Sequence, residues 1–168
     1  MILKILGIIL IILCGSMSGF LYSGKLKQKA IILRKLSNMM QTLQIIMECN
    51  GGSIQNLLEI LYNMDEYNKF NFLKQTQNLM SNKESFSAAW KKSIKSDNYL
   101  PIESIEILNV LGDKLGNSDL NSQKSILNQS QIQLESLYKT AGEEYKEKGR
   151  LYQKVGLLVG FAIAILLC

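Results

Sequence analysis

From position 102 to its last residue the chain contains no proline, and residues 155–168 carry no charged side chain. Proline inside a helix removes a hydrogen bond and clashes with the preceding turn, so its absence lets one helix run far. Beyond Leu111-Gly112, Gly116-Asn117-Ser118 read as a turn, and Asp119 as the cap of the helix that follows. A stripe of Leu120, Leu127, Leu134, Leu137, Ala141 and Tyr145, with Ile126 and Ile132 beside it, then predicts a long amphipathic helix. Unbroken from Leu120 to Leu167, it would measure about 70 Å. Gly142 and Gly149 weaken it locally, by about 1 kcal/mol each relative to alanine. The tail 155–168 is about 21 Å long against a hydrocarbon core of about 30 Å. Leu151 and Tyr152 lengthen it, and Lys154 can snorkel to the headgroups.

The other end of the chain has a matching segment. Residues 5–24 are uncharged and approach the roughly 20 residues a bilayer requires. The competing reading is a cleaved signal peptide with a small-x-small site at Ser16-Met17-Ser18, but only Lys4 supplies an early charge. Lys25, Lys27, Lys29, Arg34 and Lys35 follow the segment, and no acid appears before Glu48. The positive-inside rule then places the middle of the chain in the cytoplasm and both termini across the membrane. The expected domains are a membrane helix at 1–24, a cytoplasmic helical bundle at 25–150 and a membrane helix at 151–168.

Between these ends the pattern is helical throughout, which makes the chain all-α. Ile32, Leu36, Met39, Leu43 and Ile46 alternate spacings of four and three, one stripe of a helix that continues from the first membrane segment. Gly51-Gly52 ends it, and Ser53 caps a second helix carrying Ile54, Leu57, Leu58 and Leu61. A third helix is expected over 65–80 and a fourth from Ser85, with Phe86, Ala89, Trp90 and Ile94. Pro101 suits the first turn of a fifth helix carrying Ile105, Leu108, Leu111 and Leu115.

Chemistry is notable for what it lacks. There is no histidine, so His-based general bases and His-ligated metals are excluded. Cys14, Cys49 and Cys168 fit neither a metal site nor a disulfide framework. No glycine-rich phosphate loop is present, because Gly51-Gly52 lacks a following Lys-Ser/Thr. Lys91, Lys92 and Lys95 have no aromatic partners for stacking, which argues against nucleic acid. The inventory suits scaffolding or docking, with no cofactor, no metal and no small-molecule substrate.

Two groups of residues stand out. Gly15 with Gly19, and Gly156 with Gly160, form small-residue pairs that would let the membrane helices pack closely. Trp90, the single tryptophan, is either a core anchor or a partner hot spot. The turn Leu115-Gly116-Asn117-Ser118-Asp119, with Gln123 beyond it, offers a rigid recognition surface. The plainer account is that Gly116 supplies left-handed geometry and Asp119 a cap.

Ala89-Trp90, then Leu111-Gly112-x-x-Leu115-Gly116-x-x-Asp119-x-x-x-Gln123-x-x-x-Leu127, resembles the stage III sporulation protein AB family of endospore-forming bacteria. Leu134-Glu135, Ala141, the lysine-rich 146–154 flank and the glycine-containing tail extend the resemblance over essentially the whole chain. It implies a component of the channel joining mother cell and forespore, sited in the mother cell's outer forespore membrane. It also implies a cytoplasmic domain similar to that of platform proteins in type II secretion and type IV pilus systems. The partner implied is the cytosolic ATPase, stage III sporulation protein AA, together with other channel components. The rival is a true secretion or pilus platform protein, which usually duplicates the helical domain; this chain shows no internal repeat.

Overall fold

A computed structural model describes residues 2–50, 53–115 and 120–166. Side chains are described from Met17 onward, except at 50, 120, 153, 157, 160, 161 and 164–166. Among the described residues seven α-helices follow one another: α1 (Ile2–Asn50), α2 (Ile54–Asn63), α3 (Asn71–Ser81), α4 (Phe86–Ser96), α5 (Ile102–Lys114), α6 (Leu120–Glu144) and α7 (Arg150–Leu166). A π-helical turn, Tyr145–Gly149, joins α6 to α7. Among the described residues there is no strand, and the chain is all-α as its sequence predicts.

The chain divides into two compact units. One comprises Ile32–Tyr138; the other pairs Met1–Ile31 with Lys139–Cys168. Both boundaries fall inside helices, where no shift of composition marks them.

Unit Ile32–Tyr138 is built around the expected stripe of α1. Ile32, Leu36, Met39, Leu43 and Ile46 are all buried, and Leu33, Met40 and Met47 beside them widen the face. A stripe two residues wide can take neighbours on both flanks. Leu57, Leu58 and Leu61 of α2, Phe72 and Leu73 of α3, and Leu127 and Leu134 of α6 complete the interior. Helices α1 and α6 run antiparallel: Ser37 Oγ donates to the Gln131 carbonyl at 3.4 Å, and Lys124 pairs with Glu48 at 2.9 Å.

The third helix starts later than its pattern suggests. Residues 64–70 are turns, although Tyr67 and Phe70 are buried, and α3 begins at Asn71. The reason lies on a distant segment. Asp97, buried in the loop after α4, accepts the Phe72 N–H through Oδ2 at 2.9 Å. Its Oδ1 accepts the Tyr99 N–H at 2.9 Å. One carboxyl group therefore satisfies an orphan donor at the start of α3 and folds the chain after α4. Ser53 and Ser85 do stand at N-cap positions, but neither hydroxyl makes a cap bond. Pro101 precedes the first turn of α5 as its N-cap and does not lie within it.

Two expectations about the final helix change. Leu137 is only half-buried, because it lines a groove between α5 and α6, and Ile132 is exposed. The helix is not α-helical throughout, since the π turn interrupts it. Gly149 in that turn is buried: a Cβ there would lie 2.9 Å from Tyr145 Cδ2 and 3.0 Å from Ser23 Oγ.

In unit Met1–Ile31 with Lys139–Cys168, α1 and α7 are linked by aromatic contact. The Tyr22 and Tyr152 ring centroids lie 4.3 Å apart, and Lys29 pairs with Glu144 at 3.9 Å. Large apolar side chains face solvent here, among them Met17, Phe20, Leu21, Leu151 and Leu158. Among the described residues, no helix is long and apolar enough to cross a membrane. The densest apolar block of the N-terminal run, residues 5–15, lies outside the residues whose side chains are described, as does much of the tail beyond Val159.

Candidate functional site

The residues singled out from the sequence divide into core, cleft and surface. Trp90 belongs to the core. It is fully buried, its Nε1 donates to the Leu108 carbonyl at 2.7 Å, and its ring meets Phe72 edge-on at 5.1 Å between centroids. Phe86 closes another side at 5.3 Å. This burial within the chain matches the core-anchor reading of Trp90. A polar tip with a hydrogen-bond partner is what makes a buried tryptophan tolerable.

Gly112 explains why this tryptophan fits. Its own position is buried in α5, and a Cβ added there would overlap the indole at Cδ1. Only glycine lets the ring lie this close to the α5 backbone. Ala89-Trp90 and Leu111-Gly112 stand in the sequence as separate landmarks; the structure joins them as ring and socket. The pairing of a lone tryptophan with a glycine inside a helical pattern was the available signal, since a glycine there needs a packing reason.

Leu115 is likewise interior, buried at the C-cap of α5 with its N–H bonded to the Leu111 carbonyl at 2.8 Å. Gly116, Asn117 and Asp119, with Ser118 between them, lie outside the described residues. Gln123 is half-buried on the first turns of α6.

The glycine pairs are partly visible. Gly19 and Gly156 line one apolar cleft of about 310 Å³ between α1 and α7, with Tyr22, Tyr152 and Val155. Gly15 and Gly160 lie on those helices, outside the residues whose side chains are described.

Unit Ile32–Tyr138 carries a groove of about 450 Å³ between α5 and α6. Ile107, Val110 and Leu137 form its floor, and Glu103 and Glu106 are exposed on one side. Nothing in the sequence pattern isolates this groove, because Leu137 reads as core and Val110 as one apolar residue among several.

Titratable groups show only local effects. Lys91 and Ser87 hydrogen-bond Asp113 and hold its carboxyl below the usual range. Burial pushes the Tyr67 hydroxyl up, against a smaller opposing effect from its bond to Thr42 at 3.0 Å. Among the described residues, no group of three or more Cys, Asp or Glu side chains could hold a metal ion.

No curated protein and no solved structure matches the chain. The family model for stage III sporulation protein AB (spore_III_AB) matches residues 4–168. That span takes in the tryptophan and its glycine socket, the acidic groove and both end segments, and the chain belongs to the stage III sporulation protein AB family.

Proposed function

We propose that this chain is a non-enzymatic platform of the channel joining mother cell and forespore. It is anchored in the mother cell's outer forespore membrane by helices at both ends and holds its bundle in the cytoplasm. Membership of the sporulation family over residues 4–168 is the observation that carries this reading. Exposed Met17, Phe20 and Leu21 on α1, with Leu158 and Ile163 on α7, support the anchors, because clustered apolar surface of this kind avoids water. The basic, acid-free stretch after residue 24 supports the orientation.

The bundle would dock the cytosolic ATPase, stage III sporulation protein AA. With Trp90 and Leu115 in the core, the docking surface proposed here comprises residues 116–119, where the sequence predicts a turn, and the start of α6, around Asn117 and Gln123. A tagged chain pulled down from sporulating cells should retain the ATPase, and Asn117→Ala with Gln123→Ala should release it while the far-ultraviolet circular dichroism stays unchanged. Wild-type retention by the folded double variant would remove this surface from the proposal. For the orientation, a cysteine at Ser85 should resist an impermeant thiol reagent in intact cells and react after lysis. Labelling before lysis would overturn it.

A further inference from the structure

The groove between α5 and α6 combines an apolar floor with acidic residues, in a chain whose formal net charge is +5. Ile102, Val110 and Ile132 on these two helices are 78, 43 and 60 % exposed, which leaves large apolar side chains in water on both. Such a surface fits a helix that presents a large aliphatic side chain between basic ones. The outward face of α1 has that composition. Lys27, Ile31 and Arg34 follow at spacings of four and three, all exposed, on a helix with no acid between residues 25 and 47.

Height along the bundle matches as well. Ser37 meets Gln131 and Glu48 meets Lys124, so Arg34 stands level with the stretch of α6 around Leu134. Gln133, Ser136 and Leu137, the α6 wall of the groove, occupy that level. Two copies anchored side by side in one membrane therefore present the groove and Arg34 at the same height; this step rests on the anchoring proposed above.

We propose that the α5–α6 groove binds the Lys27–Ile31–Arg34 stripe of a second copy of this chain. Ile31 enters the floor beside Val110 and Leu137, and Arg34 faces Glu106. Two grooves cannot face each other in the same way, because Glu103 and Glu106 would meet their own counterparts. The contact is therefore head-to-tail, and each added copy leaves one groove and one stripe free. Such a contact closes into a ring or continues as a row.

The test uses the full chain in its membrane fraction, with Cys14, Cys49 and Cys168 replaced by serine. Arg34→Cys together with Glu106→Cys should give, on mild oxidation, a ladder of disulfide-linked species beyond the dimer. Each single cysteine variant should remain monomeric. No band above the monomer in the double variant, or a dimer from either single variant, would overturn the proposal. Chemical crosslinking without added cysteines supplies a second reading. Glu106→Arg should reduce the ladder by about tenfold or more, and adding Arg34→Glu to the same chain should restore it. An undiminished ladder in Glu106→Arg, or no recovery in the double variant, also overturns it. Alkaline extraction of the membrane fraction reports the anchoring separately, so loss of the anchor and loss of the contact are distinguishable.

Discussion

The two units use the same secondary structure and opposite surfaces. Unit Ile32–Tyr138 hides Trp90, Phe72, Leu33, Leu36 and Met39 completely. Unit Met1–Ile31 with Lys139–Cys168 leaves Phe20 and Leu158 more than three-fifths exposed. Burying a large aliphatic or aromatic side chain is worth about 1.5–3 kcal/mol relative to leaving it in water. The first unit collects that stabilisation within its own chain. The second leaves it uncollected at Phe20 and Leu158. The division follows side-chain placement, not secondary structure.

Substitutions can break this contrast or sharpen it. The largest effect should come from Trp90→Ala, which empties the aromatic centre and should lower stability by about 3–5 kcal/mol in a denaturant titration. A loss below about 1 kcal/mol would mean that the centre of unit Ile32–Tyr138 lies elsewhere. Gly112→Ala adds one methyl group against the indole and should destabilise by about 1–3 kcal/mol. Because ring and socket share a contact, combining the two substitutions should cost less than the sum of each alone. Additive losses would separate the tryptophan from the glycine. Asp97→Ala strips the cap from α3 and should cost about 0.5–2 kcal/mol, with the amide protons of Phe72 and Tyr99 exchanging faster. Protection unchanged at Phe72 would assign that cap to another group. Phe20→Ser should be smallest, within about 0.5 kcal/mol for the unfolding of unit Ile32–Tyr138, since exposed sites away from the core rarely matter more. On the proposed anchoring, the same variant should leave the membrane fraction more readily in alkaline extraction. Equal losses from Phe20→Ser and Trp90→Ala would erase the contrast altogether.

Much of the fold was legible because helical periodicity is local. The stripe from Ile32 to Ile46 and the positions Leu57, Leu58 and Leu61 are buried as their spacing predicts. What escaped depends on residues far apart in the chain. The late start of α3 is set by Asp97, 25 positions from its partner Phe72, and no window over 65–80 contains it. The α5–α6 groove escaped for a related reason: Leu137 keeps the helical spacing of a core residue but stands where two helices part. The candidate site was less legible than the fold. A lone tryptophan signals either anchor or hot spot until its neighbours are known, and here Gly112 and Leu108 decide for the anchor.

The π turn at Tyr145–Gly149 acts on everything after it as a change of reading frame. A π turn holds one residue more than the α-helical repeat accommodates. Each α-helical residue advances the wheel by about 100°. The turn takes up that extra residue, and the phase that brings Gly156 to the cleft beside Gly19 depends on its being taken up there. Deleting a single residue from Tyr145–Gly149 would convert the turn to ordinary α-helix and leave Gly156 at the cleft. Winding all five residues as ordinary α-helix would instead re-aim α7 by about a quarter of a revolution and carry Gly156 out of the cleft.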